Sequence, residues 1–439
     1  MKHSARLFTC ALAVAAALSV FTTTVALAGD EIPGAPQKQV IALTKATIHT
    51  GNGVTLQNAT IVFDKGIITD VGTSVSIPQG SRVIDCSGKR IYPGFIAPYT
   101  SLGLTEIDAV RATRDASEVG SFNPNVRAAT AYNPDSDILP TVRLNGVLLV
   151  NSAPSGGLIS GQASLMRTDG WTREDLAVKA SSAMVMSWPS MEVSTGWWET
   201  KSPDEQRKAA ADAVREIYDL FRNAKAYSDA ALAGIDTAVR DIRYEAMRMV
   251  FEKDVPLMIS ASTKRQIEAV IDFKEVFGLK IIITDAADAH RVIPQLQKSG
   301  IPVIIPRVHS LPRRDEDPYD APFTLAATLA KANVPFAFTD DGSWQQRNLP
   351  FLAGTARAFG LSEEEAIKAL TYWPAMMFGV EGQYGSLEKG KSATLFVSSG
   401  DALDTKSNIL TAAFIDGREL ELTSRHTKLA KKYRERGKR

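Results

Sequence analysis

Two side chains in this sequence have the types and placement that proton transfer requires, His309 and Asp340, each lying just past an apolar run of strand character. An imidazole within reach of a carboxylate can act as a general base on water; a hydrogen-bonded loop histidine is the plainer reading of His309. The other four histidines are scattered: His3 near the N-terminus, His49 in a β-rich stretch, His290 at a helix start where solvation or capping explains it, and His426 in a basic tail. Ser160-Gly161-Gln162-Ala163-Ser164 offers hydroxyls, but it lacks the Gly-x-Ser-x-Gly spacing of a nucleophile elbow and reads as a loop after a strand. Trp188, Trp197, Trp198 and Trp344 could line a sugar or aromatic pocket, though packing is the ordinary use of tryptophan. Arg111, Arg114 and Arg127 could bind an anion or pair with Asp108, Asp115 and Glu118.

The elements that must position these groups fall into two textures. From Gln39 to Ile91, short β runs are broken by Gly, Asn and Asp turns, and the same texture returns at Ala393–Val397 and Ala412–Gly417. Between them, strand candidates at Gly146–Val150, Ala183–Ser187, Pro256–Ser260, Lys280–Thr284, Pro302–Pro306 and Pro335–Thr339 alternate with helical segments. Continuous apolar strands alternating with helices imply a parallel sheet covered on both faces. No glycine-rich nucleotide turn follows the first strand, which favours a (β/α)8 TIM barrel over an open sheet. The two β-rich ends are expected to form one composite β-sandwich. The expected organisation is a signal at 1–28, the sandwich from 29–91 plus 381–425, the barrel at 92–380 with a helical insertion at about 201–232, and a basic tail at 426–439.

Long segments in this order resemble the metal-dependent amidohydrolase superfamily, in its imidazolonepropionase-like branch. They are "ATIHTGNGVTLQNATIVFDKGIITDVG", "VIDCSGKRIYPGFI", "ALTYWPAMMFGVEGQYGSLEKGKSATLFV" and "FIDGREL". "LPRRDEDPYDAP" and the stretch beginning "LTEIDAVRATRD" resemble a subgroup of exported proteins. The resemblance implies hydrolysis of non-peptide C–N bonds by one or two divalent metals, usually zinc, at the C-terminal mouth of the barrel. The family's first-strand signature, Pro-Gly-Phe-Ile-Asp-x-His-x-His, aims two imidazoles from one strand face at one metal.

Here the signature reads Pro93-Gly94-Phe95-Ile96-Ala97-Pro98-Tyr99-Thr100-Ser101, with Ala97 for the Asp and Tyr99 and Ser101 for the two His. Ser260 stands where the resemblance places a fifth-strand His, and Asp285 where it places a sixth-strand His. Met184 to Trp188 offers no bridging Lys or Glu, and Asp340 alone matches the eighth-strand acid. These departures from the family's pattern lead to the expectation of no bound metal or other cofactor. Bound metal lowers the pKa of water from about 15.7 to about 7, roughly 12 kcal/mol that no single side chain replaces.

Composition sets the remaining bounds. The 439 residues carry a formal net charge of +1, giving no field that calls for nucleic acid. Lys2, His3 and Arg6 precede the apolar stretch Leu7–Val20, and Ala26-Leu27-Ala28 supplies a small-x-small cleavage pattern. Export to the periplasm or medium with cleavage after Ala28 is expected, leaving no integral membrane segment. Cys10 leaves with the signal, so Cys86 is the one cysteine of the mature chain and reads as a small core residue. Three functions stay open: a metal-free homologue that binds a small amide-like or peptide-like ligand or supports an intact homologue, a C–N hydrolase using Asp340 and His309, or a structural exported protein. Homo-oligomers and pairing with an intact amidohydrolase are both compatible with the first.

Overall fold

The N-terminal apolar alternation builds five strands: β1 (Ile41–His49), β2 (Thr55–Asp64), β3 (Ile67–Gly72), β4 (Arg82–Asp85) and β5 (Arg90–Pro93). The computed structural model describes residues 32–235, 240–340 and 342–437, and 33–439 form one compact unit. The expected signal at 1–28 lies outside the described residues. Lys45 takes a left-handed conformation, φ 59°, and the β1–β2 register shifts beside it, so β1 carries a bulge. The bulge divides its parallel partners: Ile41–Thr44 pair with β4, and Thr47 and Ile48 with β5. β2 turns into β3 at Lys65-Gly66, both at positive φ (49° and 82°), the twist a two-residue hairpin needs.

Eight further strands lie side by side in chain order: β6 (Phe95–Thr100), β7 (Val147–Ser152), β8 (Ile159–Arg167), β9 (Ala177–Ser187), β10 (Leu257–Ser260), β11 (Ile281–Thr284), β12 (Val303–Ile305) and β13 (Phe336–Phe338). The edge strands meet where Thr339 Oγ1 donates to the Tyr99 carbonyl at 2.7 Å, nearly closing a barrel. Period-two alternation separates two cores. Ile96, Leu149, Val185, Met258, Ile282, Ile304 and Ala337 fill the interior, while Phe95, Leu148, Met184, Leu257, Ile281, Val303 and Phe336 pack outward with the helices.

One expectation is corrected here. The sheet is not wholly parallel, because β8 runs antiparallel to both β7 and β9. Ser160–Ser164, expected as a loop, is the first half of β8. Only residues 153–158 separate β7 from β8, too few for a parallel crossover, which takes about a dozen residues. The polar residues that masked the strand are satisfied inside it: Gln162 Nε2 donates to the Pro124 carbonyl at 2.8 Å and Ser164 Oγ to the Ala180 carbonyl at 2.7 Å.

The helices used below are α1 (Pro203–Leu232), α2 (Ile242–Phe251), α3 (Lys264–Phe277), α4 (Ala321–Lys331), α5 (Leu349–Ala358), α6 (Glu363–Leu370) and α7 (Arg425–Arg436). α1 starts at a Ser202–Glu205 capping box with Pro203 in its first turn. Phe221 of α1 meets Phe273 of α3 edge-on at 4.8 Å, tying the long charged helix to the outer layer. α7 buries none of its residues. Among the described residues, no helix is long and apolar enough to cross a membrane.

The chain then returns to the smaller sheet as β14 (Leu395–Ser398), β15 (Leu410–Ile415) and β16 (Arg418–Glu419). β14 pairs with β5, giving the order β16-β15-β14-β5-β1-β2-β3 with β4 also on β1. Both ends of the chain thus build one sheet domain beside a TIM-type barrel. Cys86 is buried in its core. Phe396 of β14 stacks on Tyr92 at 5.3 Å and meets Phe95 edge-on at 5.0 Å, where the sheet joins the barrel.

Candidate ligand site at the barrel mouth

Strand periodicity directs Ser260, two residues past the interior Met258, toward the C-terminal mouth. Its Oγ donates to Asp285 Oδ2 at 2.6 Å. Asp285 follows β11 in a left-handed conformation, φ 58°, unusual for a non-glycine residue and costing about 1 kcal/mol or more. The Thr284 hydroxyl lies 3.4 Å from the same carboxylate oxygen. Tyr99 is half-buried and packs against the barrel interior; burial, then the Asp285 charge, pushes its phenol up to about 12. Ser101 is half-buried one residue past β6, and the neighbouring Thr100 hydroxyl donates to the Gly342 carbonyl at 3.0 Å.

Asp340 lies two residues past β13, with its side chain only 1% exposed. Arg307, two residues past β12, places Nε 3.4 Å from Asp340 Oδ1, and Gln346 Nε2 donates to the Asp340 carbonyl at 2.6 Å. His309 is exposed; its Nε2 lies 2.8 Å from Thr355 Oγ1 on α5, and its ring centroid 6.5 Å from Phe323 on α4. The contacts of His309 therefore run to the outer helices and the ion pair of Asp340 runs to Arg307. His290, exposed, has Nδ1 3.2 Å from the Ala287 carbonyl.

Tyr99, Ser101, Ser260 and Asp285 offer two hydroxyls, a phenol and a carboxylate. The phenol keeps its proton at neutral pH, Ser260 already donates to Asp285, and Asp340 faces a guanidinium. Structural and catalytic zinc sites use three or four converging N, S or O ligands. Among the described residues, no group of three or more His, Cys, Asp or Glu side chains could hold a metal ion.

A cavity of about 460 Å³ opens beside these residues, lined by Ser260, Asp285, Arg307, Leu311, Arg313 and Leu325 among others. The β12–α4 connection forms one wall. Arg314 anchors it with two hydrogen bonds to Asp288, at 3.0 and 2.6 Å, and an ion pair to Asp317 at 3.5 Å. Burial works against ionisation of Asp288, but Arg314 and the Lys264 N–H outweigh it and hold the carboxyl below its ordinary range. The Asp288 hydrogen bond, chiefly, raises the Arg314 guanidinium.

Arg307, Arg313, Arg314 and Asp288 were not among the residues expected here from the sequence. The signal that could have pointed to Arg313 and Arg314 is the dense charged run Arg313–Asp317 in the connection after the seventh barrel strand. Other expectations change as well. Trp188 packs edge-on against Phe273, but Trp197 and Trp198 are exposed and are not packing residues. Arg111, Arg114 and Arg127 and the acids Asp108, Asp115 and Glu118 are all exposed, and among the described residues no ion pair joins the two sets.

A model of the amidohydrolase family matches residues 174–420, more than half of the chain, and the chain belongs to that family. It is 31% identical over 107 residues to imidazolonepropionase of Flavobacterium psychrophilum and 36% over 81 residues to that of Flavobacterium johnsoniae. These matches cover 22% and 18% of this chain, and only 26% and 20% of those enzymes. Among solved structures, an amidohydrolase from Thermotoga maritima superposes with a TM-score of 0.75 at 24% identity, covering 87% of this chain and 99% of that one. Molinate hydrolase superposes at 0.54 with 16% identity, covering 89% and 96%. These structural likenesses show the fold.

Proposed function

We propose that this protein is an exported amidohydrolase homologue that works without a catalytic metal or other cofactor, binding a small amide-like or peptide-like ligand at the barrel mouth. The observation that carries this reading is the Arg307 guanidinium 3.4 Å from Asp340 Oδ1. Asp340 is the one acid matching the family's ligands, and a fixed cation already compensates its charge. The Ser260–Asp285 hydrogen bond supports the same reading, since it turns two substituted positions into a polar pair. Pairing with an intact homologue or with a second copy remains part of the proposal. The test is elemental analysis of purified protein together with a fragment-binding screen of amides and dipeptides. The reading expects far less than one zinc, manganese or nickel per chain and at least one fragment bound. About one tightly held metal per chain, lost in Asp340→Asn, overturns it.

A second reading is favoured by the related proteins, whose names are those of hydrolases. In it, Asp340 and His309 serve residual C–N hydrolysis. Amide turnover that disappears in both Asp340→Asn and His309→Ala would establish it; turnover indifferent to either would remove it.

A further inference from the structure

The charges around the mouth cavity do not cancel uniformly. Arg307 faces Asp340, and Arg314 faces Asp288 and Asp317. Two charged side chains on the cavity wall are left over, Asp285 and Arg313. Asp285 receives the Ser260 hydroxyl, and Arg313 donates to the Ser262 hydroxyl. Among the described residues, neither has an opposite charge within ion-pair distance. A carboxylate and a guanidinium lining the same cavity are complementary to a ligand carrying an ammonium and a carboxylate. The left-handed Asp285 points the same way, because strain of this kind persists where the surroundings impose it, and functional sites are where it gathers. Leu311, Pro312, Pro322 and Leu325 add an apolar wall. The volume, about 460 Å³, lies within the range of small-molecule sites, about 300–1,000 Å³.

We propose that this cavity binds a zwitterionic amino acid with an apolar side chain, its ammonium on Asp285 and Ser260, its carboxylate on Arg313, and its side chain on Leu311 and Leu325. Ser260 can turn its hydroxyl from Asp285 to the ligand, and a charge-assisted pair with guanidinium is the stronger kind of hydrogen bond. This rests on the reading of the mouth as a ligand pocket, and it specifies the chemistry that pocket selects.

The test is calorimetric titration of the full mature chain with L-leucine, N-acetyl-L-leucine, which lacks the ammonium, and L-leucinamide, which lacks the carboxylate. L-leucine should bind at least tenfold more tightly than either analogue. Asp285→Asn should erase the preference over N-acetyl-L-leucine, and Arg313→Gln the preference over L-leucinamide. Thermal melts of both variants check that they fold; Arg313 is exposed, so its variant should melt like wild type. Equal binding of all three compounds, or no binding of any while fragments bind elsewhere in the screen, overturns the zwitterion site and leaves the pocket reading standing. No binding of these compounds and an empty fragment screen remove both.

Discussion

Arg307 and Asp340 show how a buried acid can be held by a neighbouring cation. A carboxylate with 1% of its side chain exposed pays a large desolvation cost unless charge or hydrogen bonds offset it. Arg307→Met removes the cation and should lower stability by about 1–3 kcal/mol, the usual cost of stranding a buried polar group. Further contacts of Asp340 limit the loss. Asp340→Asn in the same background should recover at least half of it. Urea midpoints of wild type, both single variants and the double variant measure this, and an Arg307→Met chain as stable as wild type would show that the pair contributes nothing. Of this site, the positions of Ser260, Asp285 and Asp340 were legible because apolar strands have a fixed period and their ends define the mouth. Arg307 and Arg313 were not: they follow β12 in an irregular connection, where no period says which side chains turn inward.

At the scale of elements, the sequence showed β-rich ends because short alternating runs and Gly or Asp turns mark hairpins. It hid β8, whose buried Ser, Gly and Gln residues break the apolar pattern and find their partners only in the folded barrel. The shared sheet makes a direct prediction. A chain ending at Tyr384 lacks β14, so β5 keeps β1 but loses its other partner strand, and Tyr92 and Phe95 lose the Phe396 ring; unpaired edges promote aggregation. Such a chain should be insoluble, and a soluble, cooperatively unfolding product would contradict the shared core. His49 gives this sheet a pH response. It is 3% exposed and stacks on Tyr92 at 4.6 Å. Burial, then the Arg90 charge, brings its imidazole down from 6.5 to about 4. The folded state resists protonation that the unfolded chain accepts below its ordinary pKa. Its contribution is therefore complete above about pH 7 and is lost as pH falls from 6.5 to about 4, by up to about 3 kcal/mol. Urea midpoints between pH 7.5 and 4 should fall less steeply for His49→Gln than for wild type, and parallel curves would exclude the effect.

For the whole molecule, composition and the order of long segments carried the fold, since a barrel framed by strands from both ends leaves a pattern at every scale of the chain. Function was less legible, because it depends on which charges meet in space. The sequence joins that fold to a proposed sorting signal, and the two make one testable unit. Lys2, His3 and Arg6 give a basic start, Leu7–Val20 an apolar stretch, and Ala26-Leu27-Ala28 small residues at the cleavage positions. The compact unit begins at Pro33, so a cut after Ala28 leaves every described strand and helix in the mature chain. Among the described residues, no helix is long and apolar enough to cross a membrane; the export proposal itself places the cleaved chain in the envelope fraction or the medium. N-terminal sequencing of that fraction should read Gly29-Asp30-Glu31. A chain recovered there still beginning at Met1, or found only in the cytoplasmic fraction, would defeat the export proposal while leaving the fold untouched.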